Sequence, residues 1–225
     1  MAEIEDGRKF EKIALDFLKQ NNLPEAESNF IQALNHMKQS GDEEGQAYVL
    51  GNLGNLCFQS RRLDKAEEYY GKALTYMEKV NDIRGIESSL GNLGSVLFYK
   101  GNLNEAEKTY KKALKFLEDA NDTEGQSIYN ENLGNVYLKK EELAKAEDYF
   151  NRAKTLLDSE KNKDRIKAVE DKLDALQKHP KYVEGKEGNL LNEIESLKKG
   201  GKKREALAKY QELEELYYQG GSIAK

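Results

Sequence analysis

The sequence predicts an all-α protein, a solenoid built from antiparallel helix pairs, and three observations carry that expectation. Leu53, Gly54, Ala66, Tyr70 and Ala73 recur forty positions on as Leu93, Gly94, Ala106, Tyr110 and Ala113, and again as Leu133, Gly134, Ala146, Phe150 and Ala153. Self-similarity at a fixed period of this length marks stacked supersecondary units, none of which buries its apolar face alone. Within each unit the apolar residues keep helical spacing. A chain of 225 residues that is 38% hydrophobic and 34% charged, with a mean hydropathy of -0.87, suits a thin two-layer stack.

Each unit reads as two helices, A and B. Asp42, Asp82 and Asp122 stand just before apolar-periodic runs, where a carboxylate accepts from free backbone N–H groups and meets the positive helix end. Helix A is therefore expected over 43–59, 83–99 and 123–139, with Leu50, Leu53 and Cys57, and Leu90, Leu93 and Leu97, on one face. Helix B is expected over 64–79, 104–119 and 144–158, with Ala66, Tyr70, Ala73 and Leu74 as its inward stripe in the first of these. Gly54, Gly94 and Gly134 are expected to meet the alanines of helix B, which offsets the roughly 1 kcal/mol that a mid-helix glycine costs relative to alanine. The first unit keeps the frame with Phe10, Ile13, Ala14 and Phe17, then Ala26, Phe30, Ala33 and Leu34, and Pro24 marks the start of its second helix.

A Leu, then Gly, Ala, an aromatic and Ala in fixed order resembles the tetratricopeptide repeat, over most of the chain. The units are longer than usual, and the run Leu50 to Gly54, repeated as Leu90 to Gly94 with Asn132-Leu133-Gly134 as its remnant, is similar to that of Leu-Gly-Asn repeat adaptors, kinesin light chains and bacterial peptide-pheromone regulators. The family's common tryptophan is replaced by Phe10, Leu50, Leu90 and Asn130. The resemblance implies a right-handed superhelical solenoid whose A helices line a concave, ligand-binding face.

Beyond residue 158 the period weakens. Ile166, Val169, Leu173 and Leu176 form a one-sided apolar stripe, expected as a capping helix over 162–178 that completes a self-sufficient array over 1–178. His179-Pro180 is expected to stop it and to open a linker over 179–188. From residue 189 to the end the sequence reads as a repeat-like hairpin and tail, with Leu190, Ile194 and Leu197 facing Ala206, Tyr210 and Leu213 across Gly200-Gly201.

Composition excludes several functions. Lys+Arg 36 against Asp+Glu 41 leaves a net charge of -5, without the basic excess that a phosphate backbone requires, so nucleic acid is not an expected partner. No run of about eighteen apolar residues occurs and Met1 to Lys9 shows no apolar leader, which predicts a soluble, unexported, cytoplasmic protein with no membrane partner. One cysteine forms no internal disulfide, and Cys57 shares its register with Leu97 and Tyr137, so it reads as a buried small hydrophobe. His36 and His179 make no metal signature, and no cofactor is implied. Lys198, Lys199, Lys202, Lys203 and Arg204 bracket two glycines without the strand or Gly-Lys frame of a phosphate loop, and read as a solvated turn. No nucleophile sits with a base at recognisable spacing, so an enzyme is not expected.

Two ladders are the candidate site. Asn52, Asn92 and Asn132 form one, and Asn55, Ser95 and Asn135 form the second, one turn along the same face. A carboxamide pairs with the backbone carbonyl and N–H groups of a ligand whatever its side chains, so the ladders suit an extended peptide; alternatively they bond to neighbouring helices and hold the stack. Tyr48, Gln59 and Tyr99 join them as candidate peptide-binding residues, and Phe58, Phe98, Ile128 and Leu138 either form shallow pockets or belong to the core. Gly51 and Gly91 serve either ligand approach or packing between A helices. The resemblance also implies that a carboxylate clamp for chaperone C-terminal tails would need cations where this sequence has Glu11, Gly51, Gly91 and Glu131, which disfavours such tails. The expected function is non-catalytic binding of a peptide or partner-protein segment in the groove. The alternative is self-assembly into a homo-oligomer through the array's ends or its C-terminal hairpin.

Overall fold

A computed structural model describes residues 2–158 and 160–219; the tail after the last helix lies outside them. Among the described residues are eleven α-helices and no strand. The chain divides into two compact units, Met1–Val136 and Tyr137–Lys225.

The first unit contains α1 (Ala2–Lys19), α2 (Leu23–Ser40), α3 (Glu43–Gln59), α4 (Leu63–Lys79), α5 (Ile83–Lys100), α6 (Leu103–Asp119) and the greater part of α7 (Thr123–Lys139). The expected caps form: the backbone N–H groups of Gly45, Gly85 and Gly125 donate to Asp42, Asp82 and Asp122 at 2.8, 3.0 and 2.9 Å. Helix ends close by one device, in which an N–H two or three residues past the helix returns to a carbonyl in its last turn, as Asp42 does to Met37 at 2.9 Å and Arg62 to Cys57 at 2.8 Å. That closure needs a left-handed residue, supplied by Gly41 and Gly101 and elsewhere by Asn21, Arg61, Asn81 and Asn121.

Packing follows the repeat. Phe30, Ala33, Leu50, Leu53 and Ala73 are buried in one cluster with Phe10 and Phe17 against it, and Cys57, Ala66, Tyr70 and Val96 in another. The buried thiol of Cys57 has its pKa pushed up by desolvation, so it stays a neutral, inert hydrophobe. The glycine partners differ from expectation. A Cβ on Gly54 would lie 2.6 Å from the Tyr70 ring, and one on Gly94 2.7 Å from Tyr110, so the nearest approach of helix A at these glycines is to the helix B tyrosines.

The second unit holds α8 (Leu143–Thr155), α9 (Lys163–Gln177), α10 (Pro180–Lys199) and α11 (Lys203–Gln219). Leu143, Ala146 and Phe150 of α8 pack with Val169, Leu173 and Leu176 of α9, and Tyr182 of α10 completes the cluster. The linker expected over 179–188 is therefore replaced by helix. Pro180 keeps His179 extended (ψ 125°), which ends α9, and its own fixed φ then opens α10 at once. Tyr182 is held by a 2.5 Å hydrogen bond to Glu147, and Lys186 pairs with Glu147 at 2.9 Å, so residues just past 178 belong to the same core as α8 and α9. In the hairpin, Ile194, Ala206 and Leu213 are buried as expected, but Tyr210 is 41% exposed, with Lys198 against its ring and hydroxyl.

Candidate peptide-binding groove

The A helices α3 and α5 enclose a cleft of about 250 Å³ lined by Tyr48, Gly51, Asn52 and Asn55 of α3, by Asp82, and by Arg84, Ser88, Ser89 and Asn92 of α5. Its floor exists because of two small residues. A Cβ on Gly51 would meet nothing within 4 Å, and Ser89 occupies the register position that is Val49 one repeat earlier and Tyr129 one repeat later. In the next repeat that space is filled: the Tyr129 hydroxyl bonds to the Glu87 carboxylate and would lie 2.0 Å from a Cβ on Gly91. The two glycines thus part company, Gly91 serving helix packing and Gly51 leaving a vacancy.

The two ladders also separate. The half-exposed amides of Asn52, Asn92 and Asn132 make no hydrogen bond to any described protein group. In the second ladder, the Tyr70 hydroxyl donates to Asn55 Oδ1 at 2.6 Å and the Tyr110 hydroxyl to Ser95 Oγ at 3.1 Å, while Ser95 Oγ donates to the Gly91 carbonyl at 3.0 Å. Those two positions tie helix A to helix B. Asn132 and Asn135 stand on α7 and line neither this cleft nor the one described next. Tyr48 is 45% exposed, but its hydroxyl is already committed to Asp82 at 2.8 Å. The Gly85 N–H and then the Tyr48 hydroxyl hold the Asp82 carboxyl below the usual carboxylate range, and that same bond to Asp82 raises the pKa of Tyr48. Tyr48 therefore offers a ring face, and Arg84 supplies a positive charge to the same cleft.

Gln59 and Tyr99 fall elsewhere, in a cleft of about 300 Å³ at the far ends of α3 and α5 with Phe58, Arg61 and Leu63. Phe58 and Tyr99 meet edge to face, with centroids 5.5 Å apart. Phe98 is half-buried, whereas Ile128 and Leu138 are 44% and 37% exposed. Arg84, Ser88 and Ser89 are lining residues that the periodic pattern did not single out, although a serine in a register filled by Val and Tyr in the two adjacent repeats was a readable signal for Ser89. Among the described residues no cluster of three His, Cys, Asp or Glu is placed to hold a metal ion, and no helix is long and apolar enough to cross a membrane.

The family profile of the tetratricopeptide repeat matches residues 7–79 and 85–159. This chain is a tetratricopeptide repeat protein. No curated protein matches its sequence. Among solved structures, BtubC (BKLC) from P. vanneervenii is similar at a TM-score of 0.67 and 16% identity, covering 100% of this chain and 90% of its own. The apo form of RapI is similar at 0.67 and 14%, covering 98% and 86%. A signal-transduction ATPase of the STAND class from Pyrococcus horikoshii, with a tetratricopeptide repeat sensor, is similar at 0.75 and 17%, covering 97% of this chain and 34% of that one. At these identities the likeness is one of fold, that of a helical-repeat solenoid. Tetratricopeptide repeat proteins are in general non-catalytic protein-interaction modules, and the repeat protein described here has the architecture for that role.

Proposed function

We propose that this repeat protein is a non-catalytic adaptor that binds an extended peptide or partner-protein segment along its A helices, centred on the cleft between α3 and α5. The observation that carries this reading is the vacancy over Gly51, flanked by Asn52 and Asn92, whose amides make no hydrogen bond among the described residues. An amide that folding leaves unused is available to a ligand backbone at no cost in broken hydrogen bonds. The reading places the protein in a reducing cytoplasm, which suits its one free, buried cysteine.

The test is direct. Peptides selected against the immobilised full-length protein are titrated calorimetrically into wild type, the Asn52→Ala/Asn92→Ala double variant and Ser89→Tyr. Losing two neutral hydrogen bonds should weaken binding by about 1–3 kcal/mol, and a tyrosine at position 89 should abolish it by filling the vacancy as Tyr129 does one repeat on. Unchanged affinity in both variants, with either one melting early, would assign these residues to the stack.

A further inference from the structure

A second surface lies at the turn between α3 and α4, and its chemistry is not that of the groove. Arg61, in the left-handed conformation (φ 56°), lines both the aromatic cleft with Phe58 and Tyr99 and an adjoining cleft of about 540 Å³ with Arg62, Lys65, Lys100 and one carboxylate, Asp64. Two of these cations are consumed within the fold. Arg62 forks onto Glu27 at 2.8 and 2.9 Å, and Lys100 pairs with Asp64 and Glu67 at 2.6 and 2.7 Å. Arg61 makes no close ion pair among the described residues, and Lys65, likewise without a close ion pair, acts on the Glu68 carboxylate only at longer range, where Glu68 is already bonded to Lys72. Forty and eighty positions beyond Arg61 the corresponding turns carry Gly101, which has no side chain to offer, and Glu141, which is held by Lys181. Tyr99, beside Arg61, is 61% exposed, so an aromatic wall and two cations outside any close ion pair face solvent together.

The complementary set sits on the same protein. On α11, Glu214 and Glu215 pair with no cation among the described residues, and Tyr218, three and four positions on and so on the same helix face, is 82% exposed. Neighbouring Tyr217 is tied to Glu187, which leaves Tyr218 as the outward ring. We propose that α11 of a second copy of this protein docks at the α3–α4 turn, with Tyr218 against Phe58 and Tyr99, and Glu214 and Glu215 against Arg61 and Lys65. Two carboxylates and one aromatic ring meet two cations and an aromatic cleft, so charge complementarity and apolar burial select the same partner. The contact joins different surfaces of the two copies, and it does not depend on the groove reading.

The experiment is light scattering and sedimentation of the full-length protein. Wild type should show a mass above the monomer's 25.6 kDa that rises with concentration. That excess should shrink on going from about 0.05 M to about 0.5 M salt, because the pairs are partly exposed. Arg61→Glu/Lys65→Glu and, separately, Glu214→Lys/Glu215→Lys should each weaken association about tenfold or more, and an equimolar mixture of the two should restore it. Tyr218→Ser, at a position too exposed to act through the core, should weaken it as well. A wild-type mass of one monomer at every concentration overturns the proposal. So does a mixture that stays unassociated while both reversed variants keep wild-type helicity, as does capture by an unrelated acidic, aromatic peptide with no self-association.

Discussion

Gly51 and Gly91 occupy the same register one repeat apart, and the structure predicts that alanine has opposite effects at the two. At Gly51 an added methyl meets nothing within 4 Å, so the substitution brings only the helix-propensity gain, about 0.8–1 kcal/mol. At Gly91 the same methyl would stand 2.0 Å from the Tyr129 hydroxyl, and Tyr129 is only 7% exposed. Its ring must move. Displacement breaks the bond to the Glu87 carboxylate, a charged partner worth about 1.5–3 kcal/mol, and forces repacking that typically costs about 1–3 kcal/mol. After the propensity gain of about 1 kcal/mol is subtracted, Gly91→Ala should destabilise by about 1.5–5 kcal/mol. For a protein of this size each kcal/mol moves the midpoint by about 2–4 °C, so Gly51→Ala should melt about 2–4 °C above wild type and Gly91→Ala at least about 3 °C below it. Circular dichroism melting of the three proteins side by side decides the matter. Shifts of the same sign, or a stabilised Gly91→Ala, would refute the assignment of Gly91 to packing and of Gly51 to open space.

Gly94→Leu should destabilise by about 1–3 kcal/mol or more through overpacking on Tyr110, and unchanged melting would remove the close-contact argument. Asp82→Ala should cost about 0.5–2 kcal/mol as a lost cap. The folded Asp82 has a pKa below its unfolded value, so its contribution is complete above the unfolded pKa near 4 and is lost as pH falls through the folded one; the variant's melting should therefore change less than wild type's below about pH 4. Tyr182→Ala should cost about 3–5 kcal/mol, and hydrogen exchange should show protection lost across α8–α10 but kept in α3–α6. A truncation ending at Lys178 lacks Tyr182 altogether and should lose protection over α8 and α9 in the same way.

Most of the helical frame was legible because caps, apolar stripe and turn residues all repeat together, and each local signal agreed with the global one. Asp42, Asp82 and Asp122 announced three helices and cap them. The reading failed where one residue had to serve two roles. His179-Pro180 is a stop signal for α9 and a start signal for α10, and only the stop was read, although Tyr182 and Val183 just beyond it are buried on the new helix. The candidate site was half legible for a similar reason. Spacing placed Asn52, Asn55 and Asn92 on one face, but it does not tell which asparagine has a tyrosine hydroxyl across from it; Tyr70 claims Asn55, and no described residue claims Asn52. Nor does periodicity reveal a vacancy, which depends on what a neighbouring helix lacks, as Ser89 shows where Tyr129 and Val49 stand in the adjacent repeats.

The hydroxyl of Tyr129 over Gly91 also bears on how a ligand would be read along the groove. A strictly periodic array presents the same contacts at every step, and an extended peptide can slide on it by whole repeats, occupying several registers of equal energy. Here the slot over Gly51 is open and the corresponding slot over Gly91 is closed, so in the proposed groove a bulky ligand residue would find one seat where translational symmetry would have provided two. One tyrosine in place of a serine would thus convert a ruler with identical marks into one with an origin, to which a segment bound as proposed would align in a single way.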